Sequence, residues 1–281
     1  MTTLQLPTPL VDASWLAAHL DAPQLVVLDA YMAPPGSAPV AGPVVQILGA
    51  RRFDFDNDIR DKSSPLPHMM PTAAQFEAQV RALGINRDSL IVVYDRLGMF
   101  SAPRALWMWR AMGHKAVAVL NGGLPAWQAA GLAVEPADAY RGPAGDFLAQ
   151  PQAGLFADGA QVAAALAEGS RPVLDARSRG RFSGREAEPR AGLRSGHMPG
   201  ALNLPYAELV RDGQLKPQAE LRQAFATLIA TDVAPLLSCG SGVTACVLAL
   251  AAELAGYQGM TVYDGSWAEW GSDPARPVVS D

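Results

Sequence analysis

The chain has 281 residues, 49% of them hydrophobic and 17% charged, which is enough apolar material for a large core and a length that favours two domains over disorder. A formal net charge of -5 argues against the clustered basic surface of a nucleic-acid binder. Two cysteines, Cys239 and Cys246, make neither a disulfide scaffold nor a zinc set, so a free thiol in a reducing cytoplasm is expected.

The first ten residues lack a basic segment followed by an apolar one, so no secretory signal is expected. The apolar run Leu25-Val26-Val27, ending in Leu28-Asp29-Ala30, predicts a strand. A loop containing Phe53-Asp54-Phe55-Asp56 follows, and then a second loop with His68 between Pro67 and Met69. The spacing of apolar residues predicts a helix over Ala73 to Leu83, and Leu90 to Val93 reads as a buried strand leading into Tyr94-Asp95-Arg96-Leu97-Gly98. Next, Gly113-His114-Lys115 leads through Val117 to Leu120 into Asn121-Gly122-Gly123 and Trp127. From Glu135 to Gly145 periodicity is lost and Pro and Gly accumulate, which places a linker at 136–152.

The second half repeats the first. Leu174-Asp175-Ala176 answers Leu28-Asp29-Ala30. Gly256-Tyr257-Gln258 leads through Met260 to Tyr263 into Asp264-Gly265-Ser266 and Trp270, with the same glycine-to-tryptophan spacing as Gly113 to Trp127. Strands alternating with helices, as in the pattern over Thr244 to Leu254, predict α/β architecture. The expectation is two tandem domains, 8–135 and 153–281, each a parallel sheet flanked by helices. The longest uncharged helical stretch, Val243 to Ala252, falls short of the roughly 20 residues of a membrane span, so no membrane partner is expected.

Cys239 follows the strand-like Leu236-Leu237-Ser238 and precedes two glycines. Ligands of open parallel sheets sit beyond the carboxyl ends of strands, where this cysteine stands. The N–H groups of Gly240 to Thr244 are expected to converge on its sulfur, and a helix beginning near Val243 or Thr244 presents its positive end; both favour thiolate. Asp95 takes the same place in the first half, which makes that copy non-catalytic. Cys246, inside an apolar run, reads as an ordinary buried cysteine.

The loop Cys239-Gly240-Ser241-Gly242-Val243-Thr244, the segment Gly196-His197-Met198-Pro199-Gly200-Ala201-Leu202-Asn203 and the internal duplication resemble the two-domain rhodanese-type sulfurtransferases. The form of the cysteine loop is similar to their 3-mercaptopyruvate branch, since thiosulfate-using relatives carry basic residues where Gly240 and Ser241 stand. The resemblance implies a rhodanese-like fold in both halves and transfer of a sulfane sulfur. Cys239 would attack the thiol sulfur of 3-mercaptopyruvate, pyruvate would leave, and a cysteine persulfide would pass its sulfur to thioredoxin, another thiol or cyanide. No metal or organic cofactor is implied. Gly240, Gly242, Val243 and Thr244 would line the substrate. Arg181 and Arg190 would clamp its carboxylate, with Arg177, Arg179 and Arg185 forming a solvated basic loop around them. Ser241, His68 and Asp56 would relay protons, with Asp54 and Asp58 as alternatives to Asp56.

Among the other histidines, His19 and His114 read as structural or exposed, and His197 as fixing a turn. The first-half counterpart of that turn, Gln46-Ile47-Leu48-Gly49-Ala50, lacks the usual histidine and proline, which puts its geometry and the approach of Asp56 in question. Thiosulfate, a dianion, would favour positive charge in the loop and is the less suited donor. A cysteine-dependent phosphatase would need an arginine where Ala245 stands. A non-catalytic binding module is the remaining alternative.

Overall fold

Each half of the chain folds around a five-stranded parallel sheet, and the two sheets have the same strand order. The computed structural model describes residues 4–38 and 43–281. In the first half the order across the sheet is Leu10–Val11, Val117–Leu120, Leu90–Tyr94, Leu25–Asp29 and Arg51–Arg52. In the second it is Phe156–Ala157, Thr261–Tyr263, Leu236–Ser238, Val173–Asp175 and Leu202–Asn203. The duplication seen in the sequence is therefore a duplication of topology. The central strands are covered on both faces, which is why they read as continuous apolar runs instead of alternating ones.

The helices that follow the two central strands, Ala102–Ala111 and Ala245–Ala255, pack against each other and join the halves through one continuous core. A helix apolar around its whole circumference has no solvent face to present, and Ala245–Ala255 is buried at nearly every position. At the far end of the pair Arg110 forms an ion pair with Glu253, its Nη2 3.1 Å from Oε1. The repeated tryptophans do the same work in each copy. Trp127 and Trp270 are buried and donate to the carbonyls of Ala133 and Pro277, each at 2.8 Å.

Helix limits match the sequence pattern to within a residue. Ala73–Ala82 begins at a capping box between Thr72 and Gln75, which satisfies N–H groups that the helix cannot satisfy itself. The turn in doubt is intact: the Ala50 N–H donates to the Ile47 carbonyl at 2.9 Å, as Ala201 does to Met198 at 3.0 Å. Gly49 and Gly200 both adopt positive φ, 68° and 80°, so the glycine suffices without the histidine and proline.

The segment read as a linker is irregular but strapped to the first half. Val134–Pro136 pairs antiparallel with Val45–Ile47, and the N–H groups of Gly145, Phe147, Gln150 and Gln152 donate to the carbonyls of Arg81, Ile85, Met112 and Ala111. Phe147 is buried among Phe76, Trp109 and His114. Removing this anchor by Phe147→Ala is expected to cost about 3–5 kcal/mol in urea denaturation, whereas Leu148→Ala, at a half-exposed neighbour, should stay within about 0.5 kcal/mol.

Candidate active site

The strand Leu236–Ser238 ends at the carboxyl edge of its sheet, and Cys239 is the next residue, 2% exposed. The loop that follows turns its carbonyl groups outward. Those of Cys239 and Gly240 accept from the N–H groups of Trp267 and Ala268 at 3.0 and 2.9 Å, and that of Gly242 accepts from Arg104 Nη1 at 3.3 Å. With the carbonyls directed away, the N–H groups of residues 240–245 donate to no protein atom among the described residues. Beside this loop lies a cavity of about 280 Å³ lined by Cys239, Gly240, Ser241, Val243, Thr244, Arg181 and Arg190 from the second half, and by Met32, Pro34 and Phe100 from the first. Gly242, at φ 74°, cannot be replaced: a Cβ there would lie 2.7 Å from the Asp264 carbonyl oxygen.

The first copy shows what such a loop holds. Asp95 Oδ2 accepts the N–H groups of Phe100, Ser101 and Ala102 at 2.9 to 3.0 Å, and Oδ1 accepts that of Leu97 at 2.8 Å. The carboxylate is fully buried, so its charge is balanced by backbone donors and the start of the helix Ala102–Ala111. The corresponding loop after Cys239 follows a shorter side chain, and the N–H groups of residues 240–245 have no protein partner among the described residues.

His68 crosses from the first half. It sits at φ 61°, a conformation that costs a non-glycine residue about 1 kcal/mol and is held by bonds on either side. Its carbonyl accepts from Arg104 Nη2 at 2.5 Å, and the Met70 N–H donates to Asp264 Oδ2 at 2.8 Å. The buried ring has Nδ1 3.0 Å from Asp56 Oδ1, close but without the alignment of a linear hydrogen bond, and Nε2 3.3 Å from Arg190 Nη2. Burial pushes the His68 pKa below its ordinary value, against the upward pull of Asp56. The close contact with His68 in turn holds Asp56 below the usual carboxylate range.

Two arginines face the cysteine. A Cβ on Gly240 would lie 3.0 Å from Arg181 Nη2 and 3.9 Å from Arg190 Nη1, so the bare glycine lets both guanidinium groups approach. Arg181 is held by Glu188, with Nε to Oε1 at 3.2 Å and Nη2 to Oε2 at 2.5 Å.

Comparison with known proteins agrees with the duplicated topology. The rhodanese-like domain family matches residues 12–130 and 158–273. The chain belongs to the rhodanese family. It is 42% identical over 273 residues to the 3-mercaptopyruvate sulfurtransferase of Escherichia coli K12, covering 95% of this chain and 96% of that one. It is also 40% identical over 272 residues to the thiosulfate sulfurtransferase of Bos taurus, covering 93% and 91%. The crystal structure of the E. coli 3-mercaptopyruvate enzyme superposes with a TM-score of 0.83 at 40% identity, covering 92% of this chain and 99% of that one.

Within this rhodanese-family chain the residues singled out from the sequence gather at one place, with three corrections. The N–H-lined loop carries Cys239, Gly240, Ser241, Gly242, Val243 and Thr244, and the helix after it starts at Ala245, with Thr244 as its first flanking residue. Asp56 is the carboxylate at His68; Asp54 instead accepts the N–H groups of Asp56 and Asn57, and Asp58 pairs with Lys62. Ser241, however, makes no hydrogen bond to His68, because Nε2 faces Arg190. The supposed loop around Arg181 contains the helix Arg179–Ser183, started by Ser178, whose hydroxyl accepts the Arg181 N–H. And Arg177 is no solvated residue. Its side chain is fully buried, bonded to Asp175, Glu188 and the Gly196 carbonyl, and stacked over Trp267 at 4.2 Å. Arg179 and Arg185 are the exposed ones.

The remaining histidines are structural. His197 stacks on Phe182 and bonds its carbonyl, His114 bonds the Ser89 carbonyl, and His19 stacks on Trp15. Cys246 is fully buried, its thiol pushed up to about 12 by burial. Among the described residues no cluster of His, Cys, Asp and Glu could hold a metal, and no helix is long and apolar enough to cross a membrane.

Sequence reading missed Arg104 and Asp264. Arg104, from the first half, is fully buried and bonds the Gly242 carbonyl, the His68 carbonyl and Asp264 Oδ1, the last at 2.6 Å. Burial opposes its charge most strongly, but the Asp264 carboxylate together with the neighbouring cysteines outweighs that and raises its pKa. An arginine in an apolar helical run was the available signal. Arg104→Met is expected to cost about 3–5 kcal/mol because Asp264 keeps a buried, unpaired charge. Adding Asp264→Asn, which removes that charge and keeps the acceptor for Met70, should recover a large part in a double-mutant cycle measured by urea denaturation.

Proposed function

We propose that this chain is a 3-mercaptopyruvate sulfurtransferase that carries a sulfane sulfur on Cys239. The observation that carries this reading is the pair of matched loops. In the first copy backbone donors hold an anion at the δ position of a side chain, the carboxylate oxygens of Asp95. Cysteine ends one atom sooner. A second sulfur bonded to Cys239 would extend it by that one atom and carry its negative charge toward the loop of residues 240–245, whose N–H groups have no protein partner among the described residues.

The chemistry balances on this chain's own groups. The Cys239 thiolate attacks the thiol sulfur of 3-mercaptopyruvate, a sulfur–sulfur bond forms, and the carbon–sulfur pair leaves as the enolate of pyruvate. The proton lost by the substrate thiol ends on the enolate carbon. His68, kept neutral by burial, suits the transfer, with Asp56 orienting its ring and Ser241, in the cavity lining, meeting the substrate sulfur. Arg190 and Arg181 bind the carboxylate and keto oxygen. In the second half-reaction a thiolate acceptor, such as thioredoxin or a small thiol, or cyanide, attacks the outer sulfur and restores Cys239.

Overall identity does not choose the donor, since the E. coli and bovine relatives differ by two percentage points (42% against 40%) while their names specify different donors. The neutral Gly240 and Ser241 favour the 3-mercaptopyruvate reading. Both cysteines are free, which suits a reducing cytoplasm.

The deciding experiment compares kcat/KM for 3-mercaptopyruvate and thiosulfate while pyruvate release is followed; a preference for thiosulfate overturns the donor assignment. Intact mass after exposure to 3-mercaptopyruvate should rise by one sulfur atom, and Cys239→Ser should show neither that gain nor turnover, while Cys246→Ser keeps both. Arg190→Ala should raise KM more than it lowers kcat.

The pH profile has a determined sign. Because His68 must be neutral and its pKa lies below the ordinary value of about 6.5, the acid limb of kcat/KM should have its midpoint below that pH. Asp56 pulls this pKa upward, so Asp56→Asn should move the limb to still lower pH and slow sulfur uptake. A limb that moved to higher pH would remove His68 from the role.

A further inference from the structure

We propose that Glu188 determines which sulfur donor the pocket accepts, by cancelling the charge of one of its two arginines. This rests on the reading of the cavity as the donor site. Glu188 is not itself part of the cavity lining; its carboxylate is 1% exposed and lies behind Arg181, which is. It holds Arg181 through both oxygens, and Oε1 also accepts from Arg177 Nη1 at 2.8 Å. Arg177 is itself fixed by Asp175, with Nη2 to Oδ2 at 2.7 Å. The charges along this row alternate: Asp175 negative, Arg177 positive, Glu188 negative, Arg181 positive. They sum to zero.

Arg181 therefore offers the cavity donors in a fixed orientation without net charge, and Arg190 is the arginine that brings charge not already balanced within the row. A donor with a single carboxylate and a neutral thiol matches that site. A compact dianion such as thiosulfate meets less positive charge than two arginines would supply. Holding a loop does not by itself require such a row, because apolar side chains of equal volume commonly stabilise a fold as well as a buried ion pair does. What an apolar residue cannot do is hold a guanidinium in one orientation while neutralising it.

The test uses Glu188→Gln, which preserves shape and removes the charge, beside Glu188→Asp, which preserves the charge. Both donors are measured on each variant at two ionic strengths, with thermal unfolding of the same preparations. Glu188→Gln is expected to raise the ratio of kcat/KM for thiosulfate over 3-mercaptopyruvate by tenfold or more, mainly through KM and more strongly at low salt, and Glu188→Asp to leave that ratio within about threefold of the parent. An unchanged ratio, or equal loss with both donors, overturns the proposal and leaves Glu188 a scaffold residue.

The parent protein supplies an arm that needs no variant. Pyruvate, a monoanion, should inhibit competitively at lower concentration than malonate, a dianion of similar size, and the opposite order also overturns the proposal. If the parent transfers sulfur from neither donor, the functional reading fails and this inference falls with it; if it uses 3-mercaptopyruvate and the Glu188→Gln ratio does not move, only this inference fails.

Discussion

The structure depends on a stretch of backbone that has been denied its own acceptors. Between Cys239 and the helix Ala245–Ala255 the carbonyl groups of Cys239, Gly240 and Gly242 are drawn away by Trp267, Ala268 and Arg104, and the N–H groups of residues 240–245 are left without protein partners among the described residues. Buried donors left in this state are costly, so the arrangement persists only because the surroundings enforce it. Gly242 supplies the positive φ, the Asp264 carbonyl forbids a side chain there, and the buried Arg104 ties the loop to the other half of the molecule. The cavity beside Cys239 follows from these constraints.

Duplication explains how one chain provides both the constraint and its counterpart. Both copies place a loop and a buried helix after the central strand of an identically ordered sheet. In the first copy Asp95 fills its own ring of donors, which makes that loop self-satisfied. The first half is then free to act as a wall. It contributes Met32, Pro34 and Phe100 to the cavity, His68 with Asp56 to the flank of the cavity-lining Arg190, and Arg104 to the interface.

Charge at the site is organised in layers. Arg190 stands beside His68, Arg181 is braced by Glu188, and Arg177 lies buried behind them with Asp175. Each buried guanidinium has a carboxylate partner, since an unpaired one would be far less stable than in water. The ring of His68 is squeezed between Asp56 on one side and Arg190 on the other, and its burial keeps it neutral.

Much of this was legible in the sequence. Repeated spacing, apolar runs of strand length and the glycines around Cys239 were enough for the α/β duplication and the cysteine loop, because each is written in local residue order, whereas Arg181 and Arg190 were singled out by the family resemblance. Contacts between halves are not. That Asp56 and not Asp54 or Asp58 faces His68, and that Ser241 does not bond it, depends on how a loop with His68 at φ 61° crosses to the other domain. Arg177 looked like one more loop arginine until tertiary packing buried it over Trp267. Arg104 and Glu188 acquire meaning only from partners distant in sequence, Gly242 and Asp264 for the one and a buried row of alternating charge for the other. Local order determines which elements form; which charged groups are buried together is decided when those elements close on one another and exclude water.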